Sequence, residues 1–182
     1  ESLEKLATLL VSDDLTRKGN RVRGTSGNSP GNQTPAQAID DNPKTKYLNF
    51  DGNESGLTIH AQNGVVDKIA LTSGGDAPSR DPTSFVLLGS EDGKKFKEIA
   101  KGSVPAFSKR LQRIEIPISN PSAYAVYKLI FPTLASPRAD AMQISEIELL
   151  RAGVKEADEW LLQAVELREE KEKARKSFTT TL

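Results

Sequence analysis

The stretch that decides the fold is Ala38-Ile39-Asp40-Asp41-Asn42-Pro43-Lys44-Thr45-Lys46-Tyr47-Leu48-Asn49-Phe50. It begins as a short polar loop of acidic, amide and hydroxyl side chains and continues directly into an apolar and aromatic strand. Asp40, Asn42 and Thr45 place three side-chain oxygen donors within six residues, and hard cations such as calcium bind groups of this kind. The same residues also favour a plain turn, because Asp and Thr side chains form hydrogen bonds with their own backbone. The loop alone therefore fits either a cation site or a turn.

Turn chemistry and short strand-like runs fill residues 13–151. The turns include Asp51-Gly52, Asn63-Gly64, Gly74-Gly75, Asp92-Gly93 and Asn120-Pro121. The runs between the turns are residues 47–50, 56–60, 65–72, 84–90, 95–100, 111–116, 123–131 and 142–150. In the third run Ile69 and Leu71 alternate with Lys68 and Thr72, as in a half-buried strand. The pattern predicts an all-β fold, a jelly-roll β-sandwich of about eight antiparallel strands.

Both ends of the chain carry helical periodicity instead. In residues 1–12 the positions of Leu3, Leu6 and Leu10 predict a short N-terminal helix. In residues 152–182 an apolar stripe predicts a longer helix, and the pattern from Arg168 onward is charged only. We therefore expect three parts: an N-terminal helix, a sandwich over residues 13–151, and a C-terminal helix, amphipathic and then charged, that serves as a stalk or docking segment.

The composition argues against several classes of function. Lys and Arg number 25 and Asp and Glu also number 25, so the net charge is zero, whereas nucleic-acid binders usually carry a basic excess. The chain has no cysteine and a single histidine, His60, which excludes thiol catalysis, thiolate zinc sites and clusters of histidine ligands. No stretch approaches the roughly 20 apolar residues that span a bilayer. We expect no nucleic-acid partner and no membrane span.

The sequence also predicts no catalytic residues. The carboxylate pairs Asp40 with Asp41 and Asp76 with Asp81 lie in loops without any sign of burial, whereas acid–base catalysis needs carboxylates with shifted pKa values in a cleft. The glycine-containing segment 24–31 lacks the lysine and the following helix of a phosphate-binding loop. We therefore expect a protein that is not an enzyme.

The pattern Ala-Ile-Asp-x-x-x-x-Thr-x-Tyr over residues 38–47 resembles the first motif of discoidin-like domains. These are also called coagulation factor V/VIII C-type domains, they have a galactose-binding-like fold, and family-32 carbohydrate-binding modules share the motif. Further segments match in the expected order, namely residues 65–73, 76–93, 123–131 and 142–149. The likeness is to bacterial versions with Lys-Tyr-Leu-Asn-Phe and Arg-Asp-Pro segments. It covers about residues 14–151 and depends on the order of several motifs.

This resemblance implies a structural calcium ion at the first loop. Its implied ligands are Ala38 through its carbonyl oxygen, the side chains of Asp40, Asn42 and Thr45, and Glu146 of the last strand. A carboxylate that faces the core is costly unless it is paired or bound to metal, but strand alternation leaves open that Glu146 points outward. The chain departs from the family in Asp41, where Gly is usual, and in Asn42, where Asp is frequent, which removes one negative charge.

Discoidin-like domains bind ligands through loops at one end of the sandwich, and sugar-binding members stack exposed aromatic rings on pyranose faces. This chain has few loop aromatics, because Phe50, Phe85, Tyr124, Tyr127 and Phe131 are predicted to be core residues. The candidate ligand-binding residues are Asp76, Arg80, Asp81, Phe107 and Arg138. For the charged loop 76–81 the alternative is an Arg–Asp pair that only shapes the turn before Pro82.

The sequence and the resemblance together favour a non-catalytic binding module of a secreted or cell-surface bacterial protein, located outside the cell, at its surface or in the periplasm. The expected partner is a carbohydrate or a surface protein, and further domains of a larger parent protein are expected. The alternative is a structural or assembly domain that makes protein–protein contacts through its terminal helices. The scarcity of loop aromatics and the helical ends favour this alternative, whereas the resemblance favours ligand binding.

Overall fold

The computed structural model describes residues 13–151 except 17, 62 and 63, and residues 163–175 except 164 and 174. The helix predicted over residues 1–12 lies outside this range. Within the predicted C-terminal helix, residues 165–173 are helical. The chain divides into two units, one of residues 14–152 and a second that comprises residues 1–13 and 153–182. In the described part of the chain, no helix has the length and apolar character needed to cross a bilayer.

The sandwich unit consists of short antiparallel strands. In the described residues they are β1 Val22–Gly24, β2 Tyr47–Asn49, β3 Ser55–His60, β4 Val65–Thr72, β5 Ser84–Ser90, β6 Lys97–Ser103, β7 Arg113–Ala123, β8 Val126–Phe131, β9 Met142–Ile144 and β10 Glu146–Arg151. They form a five-stranded sheet in the order β1-β3-β8-β5-β6, a three-stranded sheet β10-β4-β7 and a two-stranded sheet β2-β9. The predicted all-β sandwich is confirmed.

The described strands number ten rather than about eight for two reasons. The first is β1, which has only three residues and pairs with β3. The second is a break at Ser145, which divides the last predicted strand into β9 and β10. The backbone N–H of Ser145 donates to the carbonyl of Thr72 at 2.8 Å. At this point the chain leaves its pairing with β2 and begins to pair with β4.

Both larger sheets contribute to one hydrophobic core. Leu57, Leu87 and Leu129 of the five-stranded sheet are almost completely buried, as are Ile69 and Leu71 of β4. The alternation predicted in β4 therefore places its apolar residues as expected. Each such side chain contributes about 1.5–3 kcal/mol when it leaves water, so this core supplies the main stabilisation of the loop-bearing scaffold.

The aromatic residues agree with the prediction, with one exception. Phe85, Tyr127 and Phe131 are buried and Tyr124 packs partly buried against the core, but the side chain of Phe50 is 49% exposed. Phe50 lies one residue beyond β2, in the turn that it forms with Asp51, where the alternation of the strand no longer applies. The prediction that Phe50 is a core residue is wrong for this reason.

Gly56 is a position where two strands approach too closely for any side chain. A Cβ atom at Gly56 would lie 2.0 Å from the carbonyl oxygen of Leu129 and 2.8 Å from the Cα of Ile130. Both atoms belong to the backbone of β8, so they cannot move aside without disturbing the sheet. By contrast, a Cβ at Gly27 would meet nothing within 4 Å.

We expect Gly56→Ala to lower the free energy of unfolding by about 2–4 kcal/mol, because the added methyl group forces β3 and β8 apart. Gly27→Ala, the same change in open space, should alter it by less than about 0.5 kcal/mol. Urea denaturation followed by fluorescence measures both values. Equal stability of the two variants would contradict the register between β3 and β8.

Candidate functional site

Loop 40–45, which we call the Asp40 loop, closes on itself through its own polar groups. Asp40 Oδ1 accepts hydrogen bonds from the Asn42 N–H at 3.1 Å and from Thr45 Oγ1 at 2.9 Å. The Asn42 N–H also donates to Glu146 Oε1 at 2.9 Å. Asp41 has a φ of 59°, in the left-handed region that glycine favours. Asp is among the few non-glycine residues that adopt this conformation, and the contact of Asn42 with Glu146 joins the loop to the sandwich.

Glu146 is buried beneath the Asp40 loop. Only 6% of the residue is exposed, although it belongs to β10 together with the partly exposed Glu148. Burial raises the pKa of the Glu146 carboxyl to about 8, with a hydrogen bond to Asp40 and the charges of Asp40 and Asp41 acting in the same direction. The sequence left open whether this carboxyl points outward, and the structure shows that the loop covers it.

The oxygen donors around Glu146 suit a hard cation. The Asp40 carboxylate accepts a hydrogen bond from the Thr45 hydroxyl and shares one with the Glu146 carboxyl. Asn42 lies in the same loop, and the fully buried Ala38 lies two residues before Asp40. Calcium binds carboxylate, hydroxyl, amide and main-chain carbonyl oxygens. The described residues contain no group of three or more His, Cys, Asp or Glu that could hold a metal. Calcium at this loop stays a prediction, and it depends on the neutral oxygens beside the two carboxylates.

A cleft of about 500 Å³ opens next to the Asp40 loop, and we call it the Lys46 cleft. It is lined by Asn32, Gln33, Lys44, Thr45, Lys46, Gly75 and Asp76. Residues 28–33 run along β2, because the N–H groups of Leu48 and Phe50 donate to the carbonyls of Gln33 and Asn28, each at 3.0 Å. This pairing brings residues 32 and 33 to one side of Lys46.

A buried glutamine holds the opposite side of the Lys46 cleft. Gln143 of β9 is fully buried, and its Nε2 donates to the carbonyl oxygens of Asp76 and, at 3.2 Å, of Ala77. A Cβ at Gly74 would lie 2.7 Å from that Nε2, so any other residue at this position would have to displace the end of the Gln143 side chain. Gln143 thus fixes the backbone of the turn that carries Asp76.

Lys46 joins the two sides of the cleft. Its Nζ contacts Asp76 Oδ1 at 2.5 Å and Gln143 Oε1 at 3.1 Å. The hydrogen bond from Lys46 lowers the pKa of the Asp76 carboxyl. On the same cleft, Lys44 is exposed, and Gln33 Oε1 is buried without a hydrogen-bond partner among the described residues. The cleft therefore offers ammonium, carboxylate and amide groups to a polar ligand.

The structure brings only one of the five predicted ligand-binding residues, Asp76, into the Lys46 cleft. Phe107 packs partly buried against the core. Arg138 is exposed, and its backbone N–H donates to Ser136 Oγ at 3.2 Å. The cleft residues that the sequence did not single out are Asn32, Gln33, Lys44 and Lys46. Both lysines belong to the decisive stretch, but nothing local predicts that residues 32 and 33 lie beside them.

The remaining two candidates, Arg80 and Asp81, form ion pairs with distant partners. The guanidinium group of Arg80 donates to both carboxylate oxygens of Asp140, at 2.7 and 2.6 Å. Asp81 is only 5% exposed and binds Arg110 at 2.9 and 2.6 Å. Arg110 also donates to the carbonyls of Gly74 and Asp76. Both pairs join segments that are far apart in the sequence, and direct ligand contact by Arg80 or Asp81 stays a prediction.

No family model and no curated protein matches the chain. Solved structures match it in fold. CpGH89CBM32-5 from Clostridium perfringens, in complex with GalNAc-β-1,3-galactose, has a TM-score of 0.64 and 18% identity, over 76% of this chain and 99% of its own. The family-32 module of C. perfringens NanJ, in complex with galactose, has a TM-score of 0.61 and 15% identity, over 75% and 97% of the two chains.

The lectin domain of lectinolysin, complexed with Lewis B antigen, has a TM-score of 0.60 and 15% identity, over 78% of this chain and 99% of its own. At these identities the likeness concerns the fold. The sandwich unit has the fold of family-32 carbohydrate-binding modules and discoidin-like lectin domains. The predicted structural resemblance is therefore confirmed, and what the chain binds is a separate question.

The two Arg–Asp pairs differ in burial, so we expect them to contribute differently to the free energy of unfolding. We expect Asp81→Asn to lower the free energy of unfolding by about 2–3 kcal/mol, because it leaves the Arg110 guanidinium without its buried carboxylate. Asp140→Asn removes an exposed carboxylate from Arg80 and should leave stability unchanged within error. Chemical denaturation of the two isosteric variants measures the difference. A loss for Asp140→Asn as large as that for Asp81→Asn would refute the assignment.

Proposed function

We propose that the chain is a non-catalytic carbohydrate-binding module whose Lys46 cleft holds the ligand. The observation that carries this proposal is the lining of the cleft, in which amide, ammonium, hydroxyl and carboxylate groups converge on one concavity of about 500 Å³. Sugar hydroxyls both donate and accept hydrogen bonds, so they pair with such a mixed set. The sugar complexes of structures with this fold support the proposal.

The cleft is arranged to bind without large rearrangement. Its two sides are held by the backbone pairing of residues 28–33 with β2 and by Gln143 beneath the turn at Asp76. A preformed site loses little conformational entropy when the ligand enters.

We also propose that the parent protein is bacterial and secreted or surface-exposed, with further domains next to this module. The two Clostridium perfringens structures support a bacterial parent protein with several domains, because each is named as a module of a larger protein. The alternative of assembly through the terminal helices depends mainly on residues outside the described range. It stays a prediction.

Calcium would act as a structural support for the cleft. When bound, it would supply positive charge between Asp40 and Glu146 and replace the proton that burial favours on Glu146. The chain's own part is to orient the ligands, because the Asn42 N–H and Thr45 Oγ1 hold the two carboxylates toward the loop. Thr45 belongs to the loop and also lines the cleft. A cation that limits the motion of the loop would therefore also limit the motion of this side of the cleft.

Glycan binding is the first test of the proposed function. We expect the chain to bind at least one hydroxylated ligand on a glycan array, with affinity then measured by calorimetry. Asn32→Ala removes an exposed side chain of the cleft and should weaken binding by about three- to tenfold, the value of one neutral hydrogen bond. Asn53→Ala changes an exposed asparagine in the turn after β2 and should have no effect. An array without any binding, or equal affinity of both variants, would overturn the proposal.

Calcium binding is tested by thermal unfolding in excess calcium and in EDTA. We expect calcium to raise Tm by about 5–11 °C, because a ligand at 100 times its Kd contributes about 2.7 kcal/mol to the folded state. Glu146→Gln should abolish this increment. Glu148→Gln, on the same strand but bonded to Arg113 at 2.7 and 2.8 Å, should retain it. A wild-type chain with the same Tm in both buffers would show that no cation binds here.

A further inference from the structure

The Lys46 cleft has no aromatic residue in its lining, which consists of two amides, two lysines, a threonine, a glycine and an aspartate. Aromatic side chains offer a large apolar surface, on which the apolar face of a neutral pyranose can stack. A ligand of this cleft must therefore gain its affinity from hydrogen bonds and charge.

The charges in the lining do not cancel. Lys44 and Lys46 are positive and Asp76 is negative, so the lining carries a net charge of +1. The carboxylate of Asp76 is bound to the ammonium group of Lys46. From behind the turn, Arg110 donates to the carbonyls of Gly74 and Asp76 while it is paired with Asp81. The ammonium of Lys44, which is exposed, supplies the surplus positive charge.

Lys46 also retains capacity for a ligand. An ammonium group has three N–H donors, and Lys46 uses its Nζ toward Asp76 Oδ1 and Gln143 Oε1. Its side chain is only 16% exposed, so the group is oriented and partly removed from water. A third N–H oriented in this way forms a stronger hydrogen bond with an anion than with a hydroxyl, because charge-assisted bonds are roughly twice as strong as neutral ones.

We propose that the ligand of the Lys46 cleft is an acidic sugar, one that carries a carboxylate or a sulfate group. The anionic group binds the ammonium of Lys44 and the third donor of Lys46, and the sugar hydroxyls bind Asn32 and Gln33. Asp76 does not repel such a ligand strongly, because Lys46 already balances its charge. This inference depends on the proposed function, since it names the ligand class of the same cleft.

The test compares acidic sugars with neutral partners of the same shape. The probes are trigalacturonate with its fully methyl-esterified form, and a sulfated galactose disaccharide with its unsulfated parent, each titrated into the full chain by calorimetry. We expect each acidic probe that binds to do so at least tenfold more tightly than its neutral partner, and the difference to shrink as salt is added. Preference for the carboxylated or for the sulfated probe identifies the anion, and either result supports the proposal.

Two lysine variants connect the charge effect to the cleft. Lys44→Gln should weaken binding of the acidic probe about three- to tenfold and weaken any binding of the neutral partner less. Lys94→Gln removes an exposed lysine from the turn after β5, at the end of that strand away from the turn at Asp76, and should change neither. Equal affinity for acidic and neutral sugars would overturn this inference but leave the proposed function intact. An absence of binding to every acidic and neutral glycan would overturn both.

Discussion

The loop end of this sandwich depends on the change of partner at Ser145. Before it, β9 pairs with β2, and after it, β10 pairs with β4. The hydrogen bond from the Ser145 N–H to the Thr72 carbonyl fixes the position of the change. As a result, Gln143 and Glu146, which are separated by two residues, lie on either side of this change and hold two different loops. Gln143 binds the turn at Asp76, and Glu146 binds the Asp40 loop through Asn42.

Gln143 and Glu146 hold the two loops in place because both side chains are buried. Gln143 is completely buried and Glu146 almost so, and buried polar groups are costly unless they are hydrogen-bonded. Each forms a hydrogen bond with loop backbone, so displacement of a loop would leave a buried polar group with fewer partners. The Lys46 cleft lies between the two loops and shares Thr45 with one and Asp76 with the other. The shape of the cleft therefore follows from the packing of the sandwich.

Much of the fold could be predicted because strand alternation and turn residues are local signals. The burial of Ile69 and Leu71 follows from alternation alone. The prediction of one strand over residues 142–150 misses the change at Ser145, although two adjacent polar residues, Ser145 and Glu146, interrupt the alternation there. Phe50 shows the opposite error, since an aromatic residue next to a strand resembles a core residue until the strand is known to end at Asn49. Both lysines of the Lys46 cleft belong to the stretch 38–50, but Asn32, Gln33 and Asp76, which also line it, come from other parts of the chain.

The sequence by itself determined that residues 13–151 form an all-β sandwich with an oxygen-rich loop before the strand that begins at Tyr47, because residue type and period specify such elements locally. Only the tertiary structure decided which charged groups meet. Arg80 binds Asp140, 60 residues away, rather than its neighbour Asp81, which binds Arg110 instead. Likewise, Asn32 and Lys46 share a cleft only because residues 28–33 run along β2. Pairings of this kind depend on strand register and loop path, which no local pattern records.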